Sequence, residues 1–202
     1  MKKTVYGLLS AAALVFSGYV HATPMTSVAQ FDAGSTLINF DELSSGSVLN
    51  SNQYAGLGVT ITGTSGNDGT GSATVLKAYP WDPIYIGSPD NGWDGSIVFN
   101  FSSGVTQFGL EIIDSLPSYL SVYGTSNNLL ETLVTSVSGH NIFVGIDTGS
   151  ALISKAVFSG SFYAIDDVRF NKGATVSEPS SLILLGLSLF GLGALRRKAK
   201  KA

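Results

Sequence analysis

Short apolar or alternating segments recur between residues 36 and 170, separated by turns rich in Gly, Ser, Asn and Asp. Segments of this length and spacing predict β-strands joined by tight turns. No part of this region shows a sustained helical repeat of apolar positions. The strands are predicted near residues 36–40, 59–62, 73–78, 84–86, 96–101, 107–113, 119–123, 129–134, 141–146, 153–158 and 163–170. So many short strands predict an all-β domain, a two-sheet β-sandwich of the jelly-roll type.

The first 22 residues have a different pattern. Lys2 and Lys3 precede an apolar run from residue 5 to residue 20, and the sequence V-H-A ends at Ala22. This order predicts the helix of a secretory signal peptide, which signal peptidase cleaves after Ala22. An uncleaved anchor is the alternative, although glycines and serines interrupt the run. Residues 23–35 are then expected to be a flexible lead-in to a sandwich domain at 36–171.

The end of the chain has three parts in a fixed order. A linker and a short polar motif at 172–181 precede an apolar run at 182–195 without any charge, and a basic tail follows at 196–202. The run predicts a transmembrane helix whose basic end stays in the cytoplasm. As a helix it would be ~21 Å long, which is short of the ~30 Å hydrocarbon core of a bilayer. Flanking residues must therefore extend it, or the anchor is transient.

This tail resembles the PEP-CTERM sorting signal of Gram-negative bacteria, which an exosortase recognises. Ser177 stands where the first Pro of the motif would be. The resemblance implies export across the inner membrane, a transient or stable membrane anchor, and a mature form at the cell surface or outside the cell. An ordinary C-terminal anchor that is never processed is the alternative. The matching residues beside the apolar run are Glu178, Pro179, Ser180, Ser181, Arg196 and Arg197.

The predicted mature domain is strongly acidic. Between residues 23 and 176 it has thirteen acidic and four basic side chains, a net charge of −9. Nucleic acid is therefore excluded as an expected partner, because phosphate binding needs a basic surface. The chain has no cysteine, so neither disulfides nor thiol chemistry can contribute.

Two segments, 38–43 and 162–170, look like the two ends of one unit. The domain resembles secreted jelly-roll domains found in front of PEP-CTERM tails, which are similar in shape to carbohydrate-binding modules of the galactose-binding type. The resemblance implies that the first and last strands lie side by side and that acidic side chains at their junction hold a structural Ca²⁺. The candidate ligands are Asp41, Glu42, Asp166 and Asp167.

Elementary electrostatics supports the same expectation. Two acidic pairs brought together repel each other unless a cation lies between them, and Ca²⁺ takes six to eight oxygen ligands. The alternative is that strand alternation sends one member of each pair to solvent, so that nothing is bound.

Aromatic and acidic residues are concentrated at 78–95, the segment that contains both tryptophans. Proteins bind sugars by stacking aromatic rings on the apolar faces of the sugar, while carboxylates and amides bind its hydroxyls. The segment therefore predicts either a glycan-binding loop or a plug that folds over one end of the sandwich and buries its own aromatic rings. The candidate residues are Trp81, Tyr85, Trp93, Asp90, Asn91 and Asp94.

Catalytic chemistry has little support in the sequence. His140 is the only histidine outside the signal peptide, it lies in a predicted turn, and no nucleophile-elbow motif is present. We therefore expect a non-catalytic surface or matrix protein, associated with exopolysaccharide or biofilm through glycan binding or adhesion. The alternative is a secreted carbohydrate-active hydrolase whose carboxylate pair the sequence does not reveal.

Overall fold

The computed structural model describes residues 22–65, 74–77, 84–87, 94–113, 117–135, 141–150, 152–161 and 164–171. These residues form twelve β-strands and two short 3₁₀ turns. The strands are β1 (Thr23–Met25), β2 (Thr36–Ile38), β3 (Val59–Ser65), β4 (Thr74–Lys77), β5 (Ile84–Gly87), β6 (Asp94–Val105), β7 (Gln107–Ile113), β8 (Ser118–Gly124), β9 (Leu129–Thr135), β10 (Ile142–Asp147), β11 (Ile153–Ser161) and β12 (Ala164–Phe170). The 3₁₀ turns are Val28–Gln30 and Ala55–Leu57.

The strands form two sheets with antiparallel pairing throughout. A seven-stranded sheet has the order β1-β10-β7-β12-β5-β4, with β2 also paired to β12. A five-stranded sheet has the order β3-β6-β11-β8-β9. The all-β, two-sheet prediction is confirmed, and every predicted strand overlaps one of β2 to β12.

The core lies between the two sheets because the strands alternate buried and exposed positions. Phe99 and Phe101 of β6 point inward from the five-stranded sheet, and Phe108 of β7 points inward from the other sheet. The ring centroids of Phe99 and Phe108 are 5.0 Å apart, and those of Phe101 and Phe170 are 5.3 Å apart. Each such buried ring contributes about 1.5–3 kcal/mol by leaving water, so this aromatic cluster fixes the two sheets face to face.

The first and last predicted strands are neighbours, as the resemblance to jelly-roll domains implies. Residues Thr36 to Ile38 of β2 pair with Val168 to Phe170 of β12. The earlier half of β12 pairs instead with β5, and its pairing with β7 is interrupted between Asp166 and Arg169 by a bulge. The end of β12 therefore joins the beginning of the domain to its end.

The expected lead-in is part of the sandwich rather than a flexible segment. Its β1 strand pairs with β10 at the edge of the seven-stranded sheet. The ring of Phe31 packs edge-on against Phe143, with 6.0 Å between the ring centroids. The backbone N–H of Asp32 donates a hydrogen bond of 2.9 Å to Gln107 Oε1. A strand of three residues that includes Pro24 has too little pattern to be predicted from sequence.

The predicted signal peptide up to residue 21 and the whole tail after residue 171 lie outside the described residues. In the part of the chain that the structure describes, no helix is long and apolar enough to cross a membrane. The signal helix, the transmembrane helix at 182–195 and the basic tail therefore stay predictions.

Candidate functional site

Three carboxylates lie near enough to Asp166 to raise its pKa, at the place where β2, β7 and β12 come together. Asp166 and these three, Asp41, Glu111 and Asp167, are named here the acidic junction. Asp166 of β12 and Glu111 of β7 are direct cross-strand partners. Asp166 is only 6% exposed. Like charges directly opposite each other destabilise a sheet, so this arrangement is costly when all of the carboxylates are ionised.

Local geometry eases part of that cost. The backbone N–H of Asp167 donates a hydrogen bond of 2.7 Å to Asp166 Oδ1. Asp167 lies in the bulge of β12 with a φ of 46°, a left-handed conformation that is unusual for a non-glycine residue. Its Oδ2 is 3.6 Å from Nη2 of Arg169, which places one positive charge beside the junction.

The protonation of the junction reflects burial and mutual repulsion. Burial raises the pKa of Asp166 to about 7; the Asp167 N–H lowers it, and the charges of Asp167, Asp41 and Glu111 raise it. Burial also raises the pKa of Glu111, where Asp167 adds to the effect and Arg169 opposes it. The junction therefore resists complete ionisation at neutral pH.

The four predicted calcium ligands do not stay together. Asp166 and Asp167 lie in the junction, and Asp41 is near enough to influence Asp166 while accepting a hydrogen bond of 2.6 Å from Asn39 Nδ2. Glu42 instead accepts a hydrogen bond of 2.6 Å from the Tyr54 hydroxyl. Within the described ranges, no three His, Asp or Glu side chains form a group that could hold a metal ion. A structural Ca²⁺ therefore stays a prediction from the sequence.

Most of the predicted glycan-binding loop lies outside the described residues. The undescribed loop residues are Trp81, Asp90, Asn91 and Trp93. His140, which is not part of the loop, also lies outside the described residues. The structure gives two loop residues a backbone position: Tyr85 lies in β5, and Asp94 begins β6. Both roles of the loop, sugar binding and plugging the sandwich, stay predictions.

A second feature, which the sequence analysis missed, is the solvent side of the five-stranded sheet, named here the outer face. The inward positions of its strands form the core, so the alternate positions point outward. Lys155 is the only charged residue among the outward positions whose side chains the structure describes, and Asp94 continues the same alternation at the start of β6. The outward positions include Thr60, Thr62, Thr64, Ser96, Val98, Asn100, Tyr119, Ser121, Tyr123, Leu129, Thr132, Val134, Lys155, Val157 and Ser159.

Aromatic and apolar groups lie at one side of the outer face. Tyr119 is 46% exposed, and its cross-strand partner Val134 is 62% exposed. The Lys155 ammonium lies 4.2 Å from the centre of the Tyr123 ring and donates a hydrogen bond of 2.6 Å to Asn127 Oδ1. The Lys155 charge is thus held against Tyr123, whereas the Tyr119 side chain is left accessible. The sequence signal is Y-L-S-V-Y at 119–123, which puts both tyrosines on one side of a strand.

A shallow hollow of about 170 Å³ lies at the opposite side of this face, lined by Thr60 and Asn100 together with Gly58 and Ser102. Gly58 has a φ of 93°, and its carbonyl accepts hydrogen bonds from both the backbone N–H (2.9 Å) and the hydroxyl (3.2 Å) of Ser102. A side chain at position 58 would meet the Ser102 hydroxyl at 3.3 Å. Glycine therefore keeps this hollow open.

The comparison with protein families gives one match. Residues 175–198 match the PEP-CTERM protein-sorting motif, which confirms the resemblance of the tail to that signal. The motif implies processing by an exosortase and export with membrane-anchored sorting. A comparison with curated protein sequences found no match.

Solved structures similar to this chain include family 29 carbohydrate-binding modules. A mutant of the module CBM29-2 has a TM-score of 0.44 at 14% identity, covering 73% of this chain and 99% of its own. Another CBM29-2 mutant, complexed with mannohexaose, has a TM-score of 0.45 at 14% identity, covering 71% and 94%. A third structure, of a family 29 module, has a TM-score of 0.35 at 13% identity, covering 57% and 90%. No ligand and no binding residue is inferred for this chain from that likeness.

Proposed function

We propose that this chain is an exported, non-catalytic protein of the cell surface or extracellular matrix. An exosortase sorts it, and its sandwich associates with exopolysaccharide or biofilm by binding glycan or by adhesion. The observation that carries this proposal is the sorting motif at 175–198. Signal peptidase cleaves near the N-terminus of the chain. Residues 182–195 hold the other end in the membrane until the exosortase acts.

Glycan binding is the role that best fits the described surface. At the outward positions whose side chains the structure describes, the outer face carries hydroxyl, amide and tyrosine side chains and no carboxylate. Hydroxyl side chains both donate and accept hydrogen bonds, as sugar hydroxyls do. Tyrosine combines an apolar ring with a polar end and is suited to surfaces that are partly wet. The predicted loop at 78–95 offers a second place for the same ligand class.

The alternative, a carbohydrate-active hydrolase, has one observation in its favour. Asp166 and Glu111 are adjacent carboxylates, and the pKa of Asp166 is raised to about 7, as a general acid requires. Asp166 is almost completely buried, however, and neither residue lines the hollow beside Gly58. Burial of Asp166 leaves little room for a substrate at this carboxylate, and we favour the non-catalytic role.

Sorting is tested by expressing the full chain in a Gram-negative host with and without an exosortase. With the enzyme, we expect a mature product that has lost its C-terminal segment, detected by intact mass. Without it, the tail should remain and the protein should fractionate with membranes. The variants Glu178→Ala and Pro179→Ala should behave like wild type in the host that lacks exosortase. The same product in both hosts would overturn this part of the proposal.

Glycan binding is tested with the mature protein in native gels that contain a polysaccharide. Retarded migration in at least one gel is expected. Unchanged migration in every gel, whether the polysaccharide is neutral or anionic, would contradict a glycan-binding role. Adhesion to a partner that is not a glycan would then remain as the proposed role.

A further inference from the structure

We propose that the outer face of the five-stranded sheet is a binding site for extended chains of neutral polysaccharide, with Tyr119 as its principal contact. This inference rests on the proposed function, because it names the site and the ligand class for the glycan binding proposed above. It places the site on a sheet face rather than in the loop at 78–95.

The two tyrosines supply the stacking surface. Tyr119 and Tyr123 lie four residues apart on β8, so they share one side of the strand with ~13 Å between them. Several linked sugar rings cover that distance. Tyr123 is held in place by Lys155, and Tyr119 is exposed beside Val134. A rigid ring costs little conformational entropy when it is covered by a ligand, so Tyr119 is suited to take most of the contact.

The polar side chains between the tyrosines and the far side of the sheet form ordered rows. One row runs from Tyr123 through Lys155 and Asn100 to Thr60, with neighbouring strands about 4.8 Å apart. A parallel row runs from Tyr119 through Ser159 and Ser96 to Thr64. The first row ends at the hollow lined by Asn100, Thr60 and Ser102.

Charge decides the class of polysaccharide. The domain carries a net charge of −9, so it repels uronate-rich or sulfated chains at long range. The outward positions whose side chains the structure describes carry no carboxylate, and their single ammonium is engaged with Asn127 and Tyr123. Covering this face with a neutral chain therefore buries no unpaired charge, which would otherwise be costly.

The experiment measures the dissociation constant of the mature protein for three neutral probes, hydroxyethyl cellulose, mannan and xyloglucan, and for the polyuronate alginate. Affinity electrophoresis compares wild type with Tyr119→Ala, Tyr119→Phe and Thr64→Glu. Leu37→Ala, on β2 of the other sheet and 40% exposed in the wild type, is the matched control. Trp81→Ala and Trp93→Ala test the competing loop.

We expect at least one neutral probe to bind and alginate to bind more weakly. Tyr119→Ala should weaken binding about tenfold or more, as loss of a central aromatic contact does. Tyr119→Phe should keep most of the affinity because it keeps the ring. Thr64→Glu, which adds a carboxylate to the face without removing a core group, should also weaken binding, and Leu37→Ala should leave it unchanged.

Each other result overturns the inference in a recognisable way. If wild type binds a neutral probe while Tyr119→Ala and Thr64→Glu bind equally well, the site lies elsewhere and the proposed function stands. If wild type binds none of the probes, the glycan role and the inference both fail. Tighter binding of alginate contradicts the neutral class. If sedimentation shows a dimer that Tyr119→Ala dissociates, with no glycan bound, the face is an interface between two copies.

Discussion

Asp166 and Glu111 lie directly opposite each other across β12 and β7, a like-charged pair in a buried part of the sheet. The pair has a thermodynamic consequence. The pKa of Asp166 is about 7 in the folded chain and 3.8 as its ordinary value. The folded state therefore binds a proton more tightly than the unfolded state.

The free energy of unfolding should consequently fall as the pH rises. It should be highest below about pH 4, decrease between pH 4 and 7, and stay low above pH 7, with a total change on the order of a few kcal/mol. Asp166→Asn keeps an oxygen for the Asp167 N–H and removes the charge, so it should flatten this dependence and stabilise the protein at pH 8. Urea unfolding at pH 5 and pH 8 measures this. Glu131→Gln, on the edge strand β9 of the other sheet, is the control and should keep the slope of the wild type.

A structural Ca²⁺ at the acidic junction would change that behaviour. If Asp41, Asp166 and Asp167 bind the ion, millimolar Ca²⁺ should raise the thermal midpoint measured in excess EDTA, because a ligand of the native state stabilises it. Asp41→Ala should abolish the rise. An identical midpoint with EDTA and with Ca²⁺ would remove the metal prediction and leave proton binding as the way the junction reduces repulsion.

Gly109 lies beneath the ring of Phe143 on the seven-stranded sheet. A β-carbon at this position would be 2.6 Å from Phe143 Cζ and 2.9 Å from the carbonyl oxygen of Val144. Gly109→Ala should therefore destabilise the fold by about 1–3 kcal/mol through overpacking. Gly56→Ala is the matched control, since nothing lies within 4 Å of its β-carbon. Equal denaturation midpoints for the two variants would show that the ring moves aside freely.

Asn171 joins three parts of the domain through its side chain. Its Oδ1 accepts hydrogen bonds from the backbone N–H of Thr106 (3.0 Å) and Gln107 (2.9 Å), and its Nδ2 donates to Asp32 Oδ2 (3.0 Å). Asn171→Ala leaves these groups without a partner, so we expect a loss of about 1–3 kcal/mol. Asn52→Ala, at an exposed position, should cost far less. Chemical denaturation of both variants measures the difference.

The strands could be predicted from sequence because alternation reports directly which side of a strand is buried. The register between strands and the hydrogen-bond partners of individual side chains could not be predicted from sequence. Nothing in the acidic spacing shows that Glu42 bonds to Tyr54, or that Asp166 faces Glu111. The outer face could not be predicted because Tyr119 has the pattern of an ordinary strand residue. Its role depends on its neighbours on other strands, which the sequence does not give.

The first and last described residues lie at the same end of the sandwich along the strand direction, named here a pole. Thr23 pairs with Asp147, the side chain of Asp147 accepts a hydrogen bond from Gln107, and the Gln107 backbone N–H donates to Asn171. The sorting motif begins only four residues after Asn171, at residue 175.

The two residues next to the segment 88–93 lie at the opposite pole. Gly87 pairs with Ala164 at the start of β12, and Asp94 pairs with Ser161 at the end of β11, so both lie there. These two residues flank 88–93, which contains Trp93. A tether through the tail would therefore attach at the pole that contains Asn171. If the tail holds the protein at a membrane, the pole bearing Gly87 and Asp94 is the end of the domain farther from the point of attachment.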